Sequence, residues 1–277
     1  HAANVPLIGD IELFSQARPS LPPHKVIGIT GTNGKSTTTA LIHHIVETAG
    51  IPARLGGNIG LPILGQEPLP EGGVYVLELS SYQIDLCHAL DCDIAVLLNI
   101  TPDHLDRYDG FADYAAAKER LFTMQHVDKV AVIATEDDRT KMIASRINHR
   151  LMRVSSKQVG DQSRWPSLQG PHNAQNVAAA RAVAEVLGIK ASTIEEALHT
   201  YPGLPHRMER VRELGGVVYV NDSKATNPMS TAPALAAFPA IHWILGGRAK
   251  TSELDACVPY FGHVRAAYTI GESAGMF

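Results

Sequence analysis

The sequence predicts an α/β fold with a mostly parallel sheet, and two observations carry that prediction. Short β-type runs alternate along the chain with segments of helical spacing, which is the order of βαβ units. The run Asp93–Ile100 is almost wholly apolar and lacks the alternation of a half-exposed strand. Such a run is typical of a strand in a parallel sheet that is covered on both faces.

The individual elements follow from apolar periodicity and from the Gly and Pro residues that flank several of the runs. The predicted strands are 25–30, 74–79, 93–100, 130–133, 217–220, 241–245 and 266–270. The predicted helices are 37–49, 111–124, 173–187, 228–237 and 252–260. Near the start, Val5, Leu7 and Ile8 precede Gly9, which predicts one further short strand and a turn.

The composition is that of a globular protein with one large domain or two ordinary ones, since the chain has 277 residues at roughly 150 per domain. A formal net charge of −4 argues against a nucleic-acid partner, which needs a basic face. The sequence contains no apolar run near the ~20 residues of a membrane span. Its three unclustered cysteines favour reduced thiols and a cytoplasmic location.

The strongest motif is the segment Gly31-Thr32-Asn33-Gly34-Lys35-Ser36-Thr37, between a predicted strand and a predicted helix. Glycines let backbone N–H groups surround phosphate oxygens, and the helix start adds its dipole. Lys35 would reach the terminal phosphates of a nucleotide, and a hydroxyl after it would bind Mg²⁺. The loop is shorter than the common phosphate loop, which has glycine where Ile29 stands. An ordinary Gly-rich turn is the alternative interpretation.

Polar groups also follow two other predicted strands. Glu78 ends one strand, where a carboxylate would lie in the crevice that binds ligands in parallel sheets and could hold Mg²⁺; a solvent-facing carboxylate is the alternative. Asn99 and His104 follow the next strand, and His104 is a candidate for a second Mg²⁺. For Asp103 and Asp106 we favour caps of the next turn. Spacing alone predicts that Lys118 is a solvated helix lysine.

After residue 200 the pattern breaks at Tyr201-Pro202-Gly203-Leu204-Pro205, which predicts a hinge or domain boundary. The α/β order then restarts. Asn227-Pro228 predicts a helix start, because proline is favoured at the first helical position.

Taken together, six motifs resemble, in order along the chain, those of the Mur ligases. They are the loop 31–37, the segment 78–83, Asn99 with 103–108, the segment 172–176, the segment 206–209 and the block Asn221-Asp222-Ser223-Lys224-Ala225-Thr226-Asn227. The resemblance implies a remnant of a UDP-binding domain in residues 1–20. It also implies a central P-loop ATPase domain over 21–203 and an incomplete Rossmann-like domain over 204–277.

The resemblance also implies an ATP and magnesium site. Loop residues Gly31 to Thr37 would bind ATP with Asn173, Asn176, Arg207 and Asp222. Two Mg²⁺ ions would be held by Ser36, Glu78, His104 and a carbamylated Lys118. From the residues alone, Asn173 and Asn176 could instead cap their helix.

The last block most resembles the family member that adds D-glutamate, which implies UDP-N-acetylmuramoyl-L-alanine and D-glutamate as substrates. Groups on the substrate side would be Asn58, Ser80, Asn99, His206, Thr226 and Lys250, with Lys224 beside the incoming amino acid. Without the resemblance, His206 and Arg207 would be a surface pair, and Lys224 would form a local ion pair with Asp222. The expected protein is a monomer in the cytoplasm.

Three other functions compete with this interpretation. Folylpolyglutamate synthetase shares the loop and the chemistry, but the blocks 78–83 and 221–227 argue against it. A guanine-nucleotide switch usually needs an Asn-Lys-x-Asp segment, which the sequence lacks. A structural nucleotide-binding module is disfavoured because phosphate, metal and hinge residues are all present.

Overall fold

The computed structural model describes residues 5–103, 107–249 and 253–277, which form two compact units. The first unit contains the residues up to Asp161 together with Asn173–Tyr201. The second contains Gln162–His172 and Pro202–Phe277. The three predicted domains stay a prediction. Within the described ranges, no helix is both long and apolar enough to cross a membrane.

A six-stranded sheet organises the first unit. Its strands are β1 (His24–Thr30), β2 (Ala53–Gly57), β3 (Gly73–Glu78), β4 (Ile94–Leu97), β5 (Val130–Ala134) and β6 (Arg150–Val154). The strand order is β2-β3-β1-β4-β5-β6, and every neighbouring pair is parallel. The predicted parallel α/β fold is confirmed.

Helices connect these strands and pack on the sheet. They are α1 (Asp10–Ala17), α2 (Lys35–Thr48), α3 (Ser81–Asp85), α4 (Phe111–Thr123), α5 (Asp138–Arg146), α6 (Pro171–Val186) and α7 (Ala191–Thr200). The first two residues of α6 belong to the second unit. β1, β3, β4 and β5 are buried almost throughout, because helices cover both faces of such a sheet.

The order of strands fixes where a ligand can bind. β1 lies between β3 and β4, so the chain leaves the centre of the sheet in both directions. In open parallel sheets the crevice at such a switch point, beyond the carboxyl ends of the strands, receives ligands. The loop after β1, Glu78 at the end of β3 and Asn99 after β4 all belong to this edge.

The start of the chain differs from the prediction. The described residues before Asp10 form no strand, and helix α1 follows them instead. Ile11 and Phe14 of α1 are buried in the core of the first unit. Glu12 accepts hydrogen bonds from the backbone N–H groups of His88 and Ala89. The strand prediction was wrong because three clustered apolar residues carry no information on period.

The second unit contains two small sheets. An antiparallel hairpin pairs β7 (Glu209–Leu214) with β8 (Val217–Asn221), and a parallel pair joins β9 (Ile241–Gly246) to β10 (Val264–Ile270). Between them, α8 (Pro228–Ala236) begins after Asn227, whose side chain caps it as predicted. The helix predicted over 252–260 is instead a 3₁₀ segment, Val258–His263, and Ser252 lies outside the described residues.

Candidate functional site

The loop 31–37 runs from β1 into α2, as the sequence predicts. Gly31 and Gly34 have φ angles of +152° and +84°, which lie in the region that favours glycine. A Cβ atom on Gly34 would lie 2.4 Å from Oδ1 of Asn176. The loop therefore needs glycine at this position for both backbone angle and space.

Asn99, after β4, anchors this loop. Its backbone oxygen accepts from the N–H of Thr32 at 2.8 Å, and its Oδ1 accepts from the N–H of Asn33 at 2.8 Å. Its Nδ2 donates to the backbone oxygen of Asn33 at 3.1 Å. Asn99 thus orients loop amides, and its predicted contact with substrate stays a prediction.

Lys35 folds back over the loop. Its Nζ donates to the backbone oxygens of Gly31 at 3.0 Å and Thr32 at 2.9 Å. These bonds hold an ammonium group against the backbone of the loop. A cation in that position attracts the anionic end of a nucleotide.

Lys118 on α4 contacts the same loop. Its side chain is 1% exposed, its Nζ donates to the backbone oxygen of Gly31 at 3.0 Å, and Nζ lies 4.7 Å from the ring centroid of Tyr114. Burial, with a contribution from Lys35, lowers the pKa of Lys118 to about 7. The expectation of a solvated lysine was wrong. Spacing within a helix does not reveal that this face of α4 packs against the loop after β1.

Glu78 offers a free acceptor at the end of β3. Its Oε1 accepts from Nδ2 of Asn58 at 3.1 Å. Its Oε2 is buried and has no hydrogen-bond partner in the described part of the chain. An unpaired buried carboxylate oxygen is costly unless a cation compensates it. The solvent-facing alternative is excluded, since Glu78 is 3% exposed.

The donor set suits Mg²⁺ shared with phosphates. Ser36, at the start of α2, and Glu78 supply oxygen atoms, which Mg²⁺ prefers. Within the described ranges, no group of three His, Cys, Asp or Glu residues could hold a metal alone. His104 lies outside the described residues.

Ser80 follows Glu78 and caps α3. Its Oγ accepts from the N–H of Gln83, whose Oε1 accepts from the N–H of Ser80, which is a capping box. The hydroxyl is thus engaged in ending the strand-to-helix turn. Its predicted role in substrate binding stays a prediction.

Asn173 and Asn176 lie buried in the first turns of α6. Oδ1 of Asn176 accepts from Oγ1 of Thr38 at 3.1 Å, and its Nδ2 donates to Oδ1 of Asn173 at 3.1 Å. Because α6 begins at Pro171, neither asparagine occupies the N-cap position. The pair ties α6 to the helix that follows the phosphate loop.

The remaining predicted residues lie in the second unit, where a strained turn meets the segment 221–224. His206 and Met208 have φ angles of +63° and +49°, an arrangement that costs on the order of 1 kcal/mol each. Oδ1 of Asp222 accepts from the N–H of Met208 at 2.9 Å, and burial raises the pKa of Asp222. The backbone oxygen of His206 accepts from the N–H of Lys224 at 3.1 Å.

This turn brings the stretch with His206 and Arg207 next to the stretch with Asp222 and Lys224. The exposed Thr226 follows Lys224 along the chain. The suggested ion pair between Lys224 and Asp222 does not form, as far as the described residues show. Lys250 lies outside the described residues.

Sequence reasoning missed Tyr114 and Gln175. The hydroxyl of Tyr114 lies 3.2 Å from Oγ1 of Thr32, and Gln175 accepts from Nδ2 of Asn99 at 2.8 Å. The i,i+4 spacing of Tyr114 and Lys118 on one helix was an available signal. Gln175 stands inside the motif 172–176 and gave no signal of its own.

A parallel α/β sheet with a glycine-lysine loop at its switch point defines a nucleotide-binding protein of the phosphate-loop class. The chain belongs to the Mur ligase family, since the model of the Mur ligase middle domain matches residues 29–169, more than half of the chain.

Curated relatives extend this likeness over the whole chain. A protein of Sphingopyxis alaskensis named UDP-N-acetylmuramoylalanine--D-glutamate ligase is 64% identical over 99% of this chain and 65% of its own length. One of the same name from Novosphingobium aromaticivorans is 64% identical over 100% of this chain and 63% of its own length. The chain therefore spans less than two thirds of these relatives.

Among solved structures, the MurF ligase of Thermotoga maritima in complex with ADP superposes with a TM-score of 0.77. It is 18% identical, and the match covers 96% of this chain and 71% of that one. At this identity the likeness supports the fold alone.

Proposed function

We propose that the protein is an ATP-dependent amide-bond ligase that adds D-glutamate to UDP-N-acetylmuramoyl-L-alanine, a step of peptidoglycan precursor synthesis. The observation that carries this proposal is the loop at the carboxyl edge of the sheet, where Lys35 and Lys118 both contact Gly31. At the same edge, Oε2 of Glu78 has no hydrogen-bond partner among the described residues. The names of the two relatives support the choice of substrates.

The chemistry starts with transfer of the γ-phosphoryl group of ATP to the carboxylate of the first substrate. Both partners are anionic, so positive charge at the loop must offset their repulsion. Lys35 supplies that charge next to backbone amides that bind phosphate oxygens. The acyl phosphate that results is then attacked by the amine of D-glutamate, which releases phosphate and forms the amide.

Mg²⁺, when bound, would neutralise phosphate charge and align the transferring oxygens. Ser36 and Glu78 would hold one ion, and His104 with a carbamylated Lys118 would hold a second. Carbamylation requires a neutral amine, which attacks CO₂ and releases a proton. A pKa of about 7 leaves a substantial share of the Lys118 amine neutral at neutral pH, whereas an ordinary lysine is almost wholly protonated there.

We assign the second unit to ATP and the incoming amino acid. Arg207 and Asp222 would contact ATP, and Lys224, Thr226 and Lys250 would lie near D-glutamate. His206 would accept the proton of the attacking amine. In this proposal residues 21–203 act as the ATPase domain, residues 204–277 as a Rossmann-like domain, and the protein works as a cytoplasmic monomer.

Folylpolyglutamate synthetase activity is the second candidate, because it uses the same loop and the same acyl-phosphate chemistry. The relatives at 64% identity favour the first proposal. The two candidates differ in their acceptor substrates, which makes them separable by a direct assay.

The test is phosphate release by the protein that contains this chain, with UDP-N-acetylmuramoyl-L-alanine and one amino acid at a time. We expect release with D-glutamate and little with L-glutamate, L-alanine or diaminopimelate. Equal rates with all four amino acids would contradict the assigned substrate. Release with a folate in place of the nucleotide sugar would favour the second candidate.

Carbamylation of Lys118 has its own test. Lys118→Ala should lose activity, and short-chain carboxylic acids should restore part of it by occupying the place of the carbamate. Loss without rescue would contradict the carbamate. Lys141→Ala, at an exposed lysine, is the matched control and should leave activity unchanged.

A further inference from the structure

Asn99 is held from two sides by groups of fixed hydrogen-bonding character. On one side, its Oδ1 faces the backbone N–H of Asn33 at 2.8 Å and its Nδ2 faces the backbone oxygen of Asn33 at 3.1 Å. On the other side, the same Nδ2 donates to Oε1 of Gln175 at 2.8 Å. A rotated Asn99 amide would set donor against donor at the loop, so its orientation matters for the loop backbone.

Gln175 in turn is oriented by Glu136, which lies between β5 and α5. Nε2 of Gln175 donates to Oε2 of Glu136, while Oε1 of Glu136 accepts from Oγ of Ser155 at 3.1 Å and from the N–H of Ser156. Although burial acts to raise it, hydrogen bonds from Ser156, Ser155 and Gln175 leave the pKa of Glu136 below its ordinary value. An ionised carboxylate can only accept, so Gln175 must present its NH₂ group to it.

These contacts form one directed chain. It starts at the acceptor-only carboxylate of Glu136, passes through the amides of Gln175 and Asn99, and ends at the donor-only N–H of Asn33. We call these four residues the amide relay. Because both ends are fixed, neither amide can rotate without placing two donors or two acceptors together.

We propose that Glu136 and Gln175 are positioning residues of the nucleotide site, which hold Asn99 so that it fixes the backbone of the phosphate loop at Asn33. The inference deepens the proposed function and rests on it for the identity of the nucleotide. The relay joins the ends of β4 and β5, the start of α6 and the loop after β1. It therefore ties the loop to three other segments of the sheet edge.

Glu136 and Gln175 could act by filling space or by fixing which way the amide groups point, and these two roles predict different results. Packing depends on the size of the side chains, which hardly changes between Glu and Gln. Direction depends on which atoms donate, and this changes completely. Glu136→Gln sets an NH₂ group against either the NH₂ group of Gln175 or the N–H of Ser156, and Gln175→Glu sets two carboxylates against each other.

Exchange of both residues restores a donor opposite an acceptor at every contact, with the bond between positions 136 and 175 reversed. In the double variant Glu136→Gln with Gln175→Glu, the new Gln donates to the new Glu and keeps its oxygen for Ser155 and Ser156. The new Glu still accepts from Nδ2 of Asn99. The double variant thus has the same composition as the wild type and again pairs each donor with an acceptor.

The experiment measures amide hydrogen exchange at Asn33 by NMR, and the dissociation constant of ADP with Mg²⁺ by calorimetry. We expect each single variant to exchange the Asn33 amide about fivefold to tenfold faster and to bind ADP about fivefold more weakly, which is the scale of one hydrogen bond. The double variant should return within about twofold of the wild type on both.

Gln125→Glu is the matched control. Gln125 is a buried glutamine of the same unit that donates to the backbone oxygens of Cys92 and Val130, at the opposite edge of the sheet. It should change the stability without changing Asn33 exchange or the ADP constant.

Asn33 protection that is unchanged in both single variants would overturn the relay. Singles that are not rescued by the double variant would overturn it as well, in favour of packing. If Asn33 responds as expected but the wild type binds no ADP, the relay stands and the proposed function fails.

Discussion

The two edges of the central sheet treat charge in opposite ways. At the amino edge, Asp93 accepts from the N–H of Val26 at 2.8 Å, from Arg18 at 3.2 Å and from Lys129 at 2.9 Å. Although burial acts to raise it, these partners leave the pKa of Asp93 below its ordinary value. Each oxygen of this carboxylate has a donor.

At the carboxyl edge, the charged groups are not neutralised by partners in the same way. Lys35 and Lys118 both donate to the backbone oxygen of Gly31, and Oε2 of Glu78 has no partner among the residues described. Such groups cost stability, and they persist where a ligand completes them. The comparison teaches that one edge stabilises the fold and the other is arranged to bind.

The largest expected effect is that of Lys35→Ala. Removal of the ammonium from the loop should slow phosphoryl transfer on the order of 10³-fold, because no other side chain of the loop carries a positive charge to offset that of the terminal phosphates. Phosphate release measures it. Near-normal turnover would break the claim that the carboxyl edge is the reaction site, and Lys25→Ala, at the amino edge, should change nothing.

Glu78→Gln should separate function from stability. Loss of the carboxylate should lower magnesium-dependent activity on the order of 10²-fold. The free energy of unfolding without ligand should stay the same or rise by about 1 kcal/mol, because a buried charge is removed. Chemical denaturation and a magnesium titration check both. A marked loss of stability would show that Glu78 serves the fold.

Asp93→Asn should give the reverse result at the amino edge. It weakens the pairing of Arg18 and Lys129 and should lower the free energy of unfolding by about 2 kcal/mol. The affinity for ADP with Mg²⁺ should not change. Urea denaturation measures the free energy of unfolding, and calorimetry measures the affinity for ADP. Weaker ADP binding with an unchanged free energy of unfolding would contradict the difference between the two edges.

The smallest expected effect is a pH slope from Lys118 in its uncarbamylated form, measured in buffer free of CO₂. Its pKa is about 7 in the folded chain and higher when unfolded, so between these values the unfolded state binds more protons. Stability should therefore rise with pH above about 7, by at most about 1.4 kcal/mol per pH unit.

Urea denaturation from pH about 7 to about 8.5 measures this slope as the difference between the wild type and Lys118→Met. The free energy of unfolding of the wild type, relative to that of Lys118→Met, should rise as the pH rises. Lys141→Met controls for an exposed lysine. A constant difference across the range would contradict the lowered pKa.

The sequence predicts the sheet well because buried parallel strands are continuous apolar runs, as in 93–100. It predicts the phosphate loop because glycine and lysine have few other uses between a strand and a helix. It misses α1, whose burial depends on contacts with the loop that holds His88 and Ala89. Tertiary contacts of that kind leave no periodic trace.

Side-chain environment was the other limit. Spacing places Lys118 on a helix but cannot show that the helix lies under Gly31. The direction of the Gln175 amide depends on Glu136, which is 39 residues away along the chain. Both facts follow from the order of the strands, which one sequence alone does not provide.

The central claim is that the carboxyl edge of the first sheet binds magnesium and ATP through the loop of Lys35. Calorimetric titration of this chain with ATP, with and without Mg²⁺, tests it most directly. We expect one nucleotide per chain, bound more tightly with Mg²⁺, and no binding by Lys35→Ala. Absence of binding by the wild type, or equal binding by Lys35→Ala, would contradict the account.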